Sequence, residues 1–381
     1  MTSKERVLAA LNHQEPDRVP LDLGGWVTTI SVVTYNRLLT LLGIEREREV
    51  FDWLRQNVAP EEDVLEWLGV DTRYVHPGSP KSWTFAPEET EQGLYVTDEW
   101  GCGFLKPLSS LYYNLVHSPL ERAGLGDLDA HPWPDPRDPG YVDGVGARAR
   151  ALHDEGRYAV VGNFGWESWF ERAWKLRGME RFYMDMVRNR DLVHALLDKT
   201  VNLHLEFLDH VLSVCGPYLD VVIQGGDLAG QKTTLMSPKD YREFIKPRQA
   251  RVVEFLRKRT SAKIFWHSCG AVSSLVPDFI EVGIDILNPV QVRAHNMDAE
   301  SLKERFGKDM VFWGGIDSQH LLPTGTVEEV DGEVRRVVRA LGPGGGLVLC
   351  AVHNIQADVP PENVLALYDG ARRWGRYPLL G

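Results

Sequence analysis

The stretch Lys263-Ile264-Phe265-Trp266-His267-Ser268-Cys269-Gly270-Ala271-Val272 has the form of one strand-to-helix unit. Residues 262–266 are an apolar, β-favouring run, which predicts a buried strand. Gly270 interrupts the extended pattern, and an apolar helix is expected over 271–280. At the junction stand a histidine and a cysteine two positions apart. Residues two apart on an extended chain share a side and lie roughly 6.5–7 Å apart. Imidazole nitrogen and thiolate sulfur bind a metal at about 2.0–2.3 Å, so His267 and Cys269 can reach one ion together. The pair taken alone is also the pattern of a small buried cysteine beside a histidine bonded to backbone.

Outward from that unit, the chain repeats it. Apolar runs at 19–23, 70–76, 158–162, 219–223, 284–287, 310–313 and 346–350 read as further strands. Helical periodicity predicts helices over 141–155, 167–178, 179–187, 190–214, 238–258, 298–306, 326–341 and 361–373. Pro247 must end or kink the helix at 238–258. Eight apolar strands alternating mostly with helices predict a parallel sheet. Eight units predict an α/β fold of the (β/α)8 TIM-barrel type, one domain over 1–381. No Gly-x-Gly-x-x-Gly follows the first strand, which removes the main reason to prefer a dinucleotide fold. A helical and hairpin excursion precedes the regular rhythm, with short helices at 3–12, 34–42 and 61–68. Within 77–135, Ser82-Trp83-Thr84-Phe85, Gly93-Leu94-Tyr95-Val96-Thr97 and Asp98-Glu99-Trp100-Gly101 read as a hairpin. An excursion this long is expected to be an insertion that covers a site.

The chain has 381 residues, 43% hydrophobic and 25% charged, as in an ordinary globular protein. A formal net charge of -12 argues against nucleic acid or an anionic membrane surface as a partner. No apolar run is long enough to span a bilayer, and the N-terminus has no apolar signal core. The four cysteines, Cys102, Cys215, Cys269 and Cys350, form no disulfide framework. That usage suits a reducing, cytoplasmic location.

In such a barrel, chemistry sits at the C-terminal ends of the strands. Strand one ends at Asp22-Leu23-Gly24-Gly25-Trp26 and strand three at Asn163-Phe164-Gly165-Trp166-Glu167. Strand four ends at Gln224-Gly225-Gly226-Asp227 and strand six at Asn288-Pro289-Val290-Gln291. Strand seven ends at Gly314-Gly315-Ile316-Asp317. Polar groups at nearly every end are what a convergent pocket requires. Strand eight lies across the mouth from strand five and offers two candidate third ligands, Cys350 on the strand and His353 in the loop. Two imidazoles with one thiolate suit zinc, and three protein ligands with an open position form a catalytic arrangement. A fourth, acidic ligand can come from Glu167 or Asp227. Asp227 is equally able to cap a turn.

These segments resemble the uroporphyrinogen decarboxylase superfamily, in particular its cobalamin-linked, zinc-dependent methyltransferase branch. The resemblance rests on Arg6-Val7-Leu8-Ala9-Ala10-Leu11 with Pro16-Asp17-Arg18-Val19-Pro20, and on Ser237-Pro238 through Ile245-Lys246-Pro247. It rests also on His267-Ser268-Cys269-Gly270, Gly283 through Gln291, Gly314-Gly315-Ile316-Asp317, Leu321 through Thr326, and His353-Asn354 to Pro361-Glu362-Asn363. It implies a (β/α)8 barrel with its site at the mouth. Decarboxylases of this kind carry an arginine-rich motif that grips substrate carboxylates. The corresponding stretch here, Leu23-Gly24-Gly25-Trp26-Val27-Thr28, has no arginine. The methyltransferase branch holds zinc with a His-x-Cys pair and a later cysteine; His267 and Cys269 match the pair, and the later cysteine's place falls on His353.

The resemblance therefore implies Zn2+ on His267, Cys269 and His353, with Cys350 as the alternative third ligand. A methyl group would pass between a small methoxyarene, thiol or methylamine and methylcobalamin carried by a corrinoid-binding partner protein. Asp227 and Glu167 are the candidate catalytic acids. Trp26, Asn163, Trp166, Asn288, Gln291 and Asp317 are candidate substrate-binding residues. The competing readings are a metal-free decarboxylase or lyase acting on another substrate, and a noncatalytic small-molecule binding barrel.

Overall fold

The computed structural model describes residues 1–165 and 168–379. Seven parallel strands form one curled sheet: Thr72–Val75, Ala159–Asn163, Val221–Gly225, Lys263–His267, Ile286–Asn288, Val311–Ile316 and Leu347–Ala351, paired in chain order. The expected first strand closes the ring with a minimal ladder. Leu21 bridges Leu349 in parallel, with Leu349 N donating to Pro20 O at 2.9 Å and Asp22 N to Leu349 O at 3.1 Å. On the other side Asp71 N donates to Leu21 O at 2.8 Å. Chemistry keeps the ladder short. Pro20 has no N–H to donate, and Gly24, at φ 128°, leaves the extended region. The barrel of the sequence reading is present, and its first strand survives as one rung on each side.

A buried carboxylate holds that rung. Asp71 accepts from Arg6 Nη1 at 2.7 Å, from Arg18 at 2.7 and 2.9 Å, and from Leu21 N at 2.8 Å. Arg6 also donates to both oxygens of Asp17, at 2.6 and 2.8 Å. The Arg6 and Asp17-Arg18 segments thus serve closure. Inside the barrel pack Tyr74, Val161, Ile223, Phe265, Ile286, Trp313, Val348 and Cys350, with Val7 and Leu11 of helix Ser3–Leu11 closing the bottom. The alternate residues, among them Val160, Val222, Ile264 and Leu349, face the surrounding helices. Both faces being buried explains why the strands read as unbroken apolar runs.

Three local expectations change. The helix expected over 238–258 is Pro238–Asp240, a π-turn at Tyr241–Ile245, and Lys246–Arg259 with Pro247 in its first turn. The wider turn lets the chain tolerate a residue without an N–H. The helix expected from 271 begins only at Val276, where Pro277 suits a first turn. The expected hairpin is a four-stranded antiparallel meander, Glu88–Thr90, Gly93–Thr97, Gly103–Pro107 and Asn114–His117. Residues 82–85 are not a strand, and 98–101 form a turn in which Asp98 Oδ1 accepts from Trp100 N and Cys102 N at 3.0 and 2.8 Å. The meander is tied to helix Trp169–Arg177 by the buried Arg172–Asp98 ion pair. No helix among the described residues is long and apolar enough to cross a membrane.

Removing one partner of a buried ion cluster leaves unpaired charge, so Asp71→Ala is expected to cost about 3–5 kcal/mol in urea unfolding, and a loss below about 1 kcal/mol would refute the closure role. The hydrogen bond from Arg6 holds the Asp17 carboxyl down to about 2, from an ordinary 3.8. A depressed carboxyl stabilises above its unfolded value and loses that contribution as pH falls through the folded one. Acid titration of Asp17→Asn should therefore lack the part of the wild-type stability loss that falls below pH about 4.

Candidate metal centre

His267 is the last residue of its strand. Its neighbour in the sheet is Gly225, and a Cβ there would stand 2.8 Å from the Cβ of His267. Glycine at 225 therefore makes room for the imidazole. Nδ1 lies 2.5 Å from Asn288 Oδ1, and Asn288 Nδ2 donates to Trp313 O at 2.9 Å. That second bond fixes the amide, so Asn288 Oδ1 must accept. His267 Nδ1 then carries the proton, and the lone pair resides on Nε2. Nε2 is 3.5 Å from Cys269 Sγ and 3.5 Å from Asp227 Oδ1.

His353 completes the group. Its ring stands 5.5 Å from that of His267, nearly edge-on. One donor atom each of His267, Cys269 and His353 lies within 4.8 Å of the others. The loop carrying His353 is stapled to the loop after strand one, because Asn354 Oδ1 accepts from Thr29 N and Asn354 Nδ2 donates to Trp26 O, both at 2.9 Å. The Cys269 loop is equally fixed. Cys269 N donates to Asp227 Oδ1 at 2.8 Å, and Gly270 N to Gln291 Oε1 at 2.7 Å. Gly270 has φ 90°, and a Cβ on it would meet two carbonyl oxygens at 2.5 Å. Only glycine fits there.

Burial, then His267 and Arg55 nearby, lowers the His353 imidazole, which keeps it neutral and ligand-competent. Burial, then the acids Asp227 and Glu171, pushes the Cys269 thiol well up. A divalent cation reverses that preference, since a coordinating thiol is deprotonated outright. Two imidazoles, one of them oriented by a hydrogen-bonded amide, and one thiol fit zinc, with an open position for another ligand.

The remaining candidates divide. Asp227, Gln291, Cys269 and His353 line a cavity of 490 Å3. Trp26 and Asn163 line a neighbouring cavity of 290 Å3 beneath the meander, and the Trp26 ring lies 6.3 Å from that of His267. Asn288 acts on His267. Asp317 lines neither cavity; it accepts from the N–H groups of Gln319, His320 and Leu321 at 3.0–3.2 Å and pairs with Arg293. Its place is that of a turn cap. Cys350 remains in the barrel interior, its thiol raised by burial. Trp166 and Glu167 lie outside the described residues. The sequence reading passed over Asn354, His76, bonded to Asn163 at 2.8 Å, and Arg55, whose guanidinium sits 4.7 Å above the Trp26 ring. Adjacency to His353 was the available signal for Asn354; Arg55 lies in a stretch without periodic pattern.

Comparison with known proteins agrees with this architecture. The chain is similar to curated proteins named uroporphyrinogen decarboxylase. One, from Pseudoalteromonas atlantica, is 22% identical over 300 residues, covering 76% of this chain and 75% of the relative. Another, from Pseudomonas aeruginosa, is 25% identical over 295 residues, covering 74% of each. Among solved structures, a methyltransferase from Methanosarcina mazei superposes with a TM-score of 0.65 at 20% identity, covering 98% of this chain and 99% of that one, a likeness of fold. The family model described as uroporphyrinogen decarboxylase (URO-D) matches residues 129–374, well over half of the chain, and the protein belongs to that family.

Proposed function

We propose that this protein is a zinc-dependent methyltransferase, moving a methyl group between a small substrate and a corrinoid carried by a partner protein. The observation that carries the reading is the chain Trp313 O, Asn288, His267, which aims one imidazole lone pair at a thiol and a second imidazole. A bare binding pocket has no need of an oriented tautomer; a metal ligand does. A zinc ion held there supplies Lewis acidity toward a substrate oxygen, sulfur or nitrogen.

The chain's own residues do the rest. Asp227 stands beside Nε2 of His267 and Sγ of Cys269, where its carboxylate can hold a proton released by substrate. Gln291 fixes the Cys269 loop through Gly270. Trp26 walls the mouth on the side of His267. The decarboxylase alternative draws on the names of the relatives. Against it, the loop of Leu23-Gly24-Gly25-Trp26-Val27-Thr28 has no arginine to hold the acid group to be lost.

Purified protein is expected to carry about one zinc per chain, and His267→Ala less than about a tenth; equal zinc in both would sink the reading. Asn288→Leu should keep the fold by circular dichroism while weakening zinc about 10–100-fold in chelator competition. Methyl transfer is assayed with methylcobalamin against methoxyarenes, thiols and methylamines, and should vanish in His267→Ala.

A further inference from the structure

The cavity of 290 Å3 beside the metal centre has flat apolar walls: Trp26, Phe51, Trp53, Trp83, Phe104 and Tyr141. Its charged lining residues have partners within the protein. Asp52 pairs with Arg55 at 3.0 Å, Asp98 with Arg172 at 2.5 Å, and Glu99 accepts from Tyr141 OH at 2.8 Å. Two neutral side chains in the same wall differ. Trp26 Nε1 and Asn163 Oδ1 are both buried and neither has a hydrogen-bond partner. One is a donor and the other an acceptor. Both residues line this cavity, and the Trp26 ring packs against the loop that follows the strand of Asn163, where Nε1 would stand 3.5 Å from a Cβ on Gly165. Buried polar atoms are seldom left unpaired without a reason.

Asn163 does not turn freely. Its Nδ2 donates to His76 Nδ1 at 2.8 Å, which leaves Oδ1 as the end facing away. Burial lowers the His76 imidazole to about 4, so it is neutral at physiological pH, and facing the Asn163 Nδ2 donor its Nδ1 is the acceptor. The ring is held between Tyr74, stacked at 5.9 Å, and Phe51, edge-on at 5.0 Å.

We propose that Trp26 Nε1 and Asn163 Oδ1 form a donor–acceptor clamp for one hydroxyl group on a flat, uncharged substrate, with His76 as the positioning residue that orients Asn163. A hydroxyl accepts from the indole and donates to the amide with one oxygen. A carboxylate has no proton for Asn163, and a methyl group satisfies neither atom. This names the substrate class of the site read above and rests on that reading.

The test uses three para-substituted toluenes, p-cresol, p-xylene and p-toluate, titrated by tryptophan fluorescence and calorimetry into the full chain, once with zinc and once after chelation. A site built around a hydroxyl rejects an analogue lacking it, so p-cresol should bind at least about 10-fold more tightly than either of the other two. Asn163→Ala, and independently Trp26→Phe, which removes only the donor, should reduce that preference below about 3-fold, since each takes away one hydrogen bond to the hydroxyl. His76→Leu should erode the preference, and His76→Gln, which keeps an acceptor, should restore it. Equal binding of p-cresol and p-xylene, tighter binding of p-toluate, or an unchanged preference in Trp26→Phe overturns the clamp. None of the three residues is a proposed metal ligand. A chain that holds no zinc yet discriminates refutes the metal reading alone, and one that holds zinc without discriminating refutes the clamp alone.

Discussion

The fold depends on closing a ring whose eighth member has almost no ladder. Seven strands pair in the ordinary way, but the segment around Leu21 is joined to its neighbours by a handful of backbone bonds. The side chain of Asp71 makes up the difference. Buried with two guanidiniums and an amide N–H, it fastens the N-terminal helix, the Asp17-Arg18 turn and the second strand at one point. A buried carboxylate is costly unless its lone pairs are satisfied. Here they are, and Asp22, next to Leu21 in the chain, is fully buried as well. Asp22 accepts from Thr72, Tyr74 and Trp313, so the closing segment is also bonded into the interior.

Above that closure, side-chain amides hold much of the site. Asn288 sets the tautomer of His267, Gln291 holds the Gly270 turn, and Asn354 secures the loop of His353. A side-chain amide presents a donor and an acceptor in fixed relation. It can therefore specify direction, which a carboxylate or an ammonium cannot do alone. The glycines at 225 and 270 contribute by what they omit, since a Cβ at either position would collide with the loop or ring it borders.

Much of the barrel was legible because parallel strands buried on both faces leave long apolar runs, and because Gly and Pro mark their ends. The His267 and Cys269 pair was legible for a related reason: a strand that stops at its last apolar residue shows what it delivers. The meander was misread because Trp83 and Phe85 look like strand residues but pack as an aromatic cluster with Trp53, at 6.1 and 5.1 Å. Tertiary packing there overrides local propensity. The bond from Asn288 to His267 was not legible, because a sequence shows which end of a strand an amide occupies and not which neighbour it meets. Asp317, placed by the sequence at the end of a strand, likewise shows its partners only in the fold. Its partners are the N–H groups of its own loop, a local preference of aspartate that competes with every functional assignment.

The Asn354 staple has a consequence for the order of events in folding. Its bond to Thr29 joins residues 325 apart in sequence, whereas the ladder of the fourth to eighth strands is built from neighbouring units. Contacts of such long separation are reached only after their loop-closure entropy has been met. The C-terminal units can assemble early and present His267 and Cys269 at the end of a strand already paired on both sides. His353 acquires its fixed position only when the two ends of the chain meet. The cluster is thus a record of completed folding: a chain that has not closed its ring holds two of the three candidate ligands in place and lacks the third.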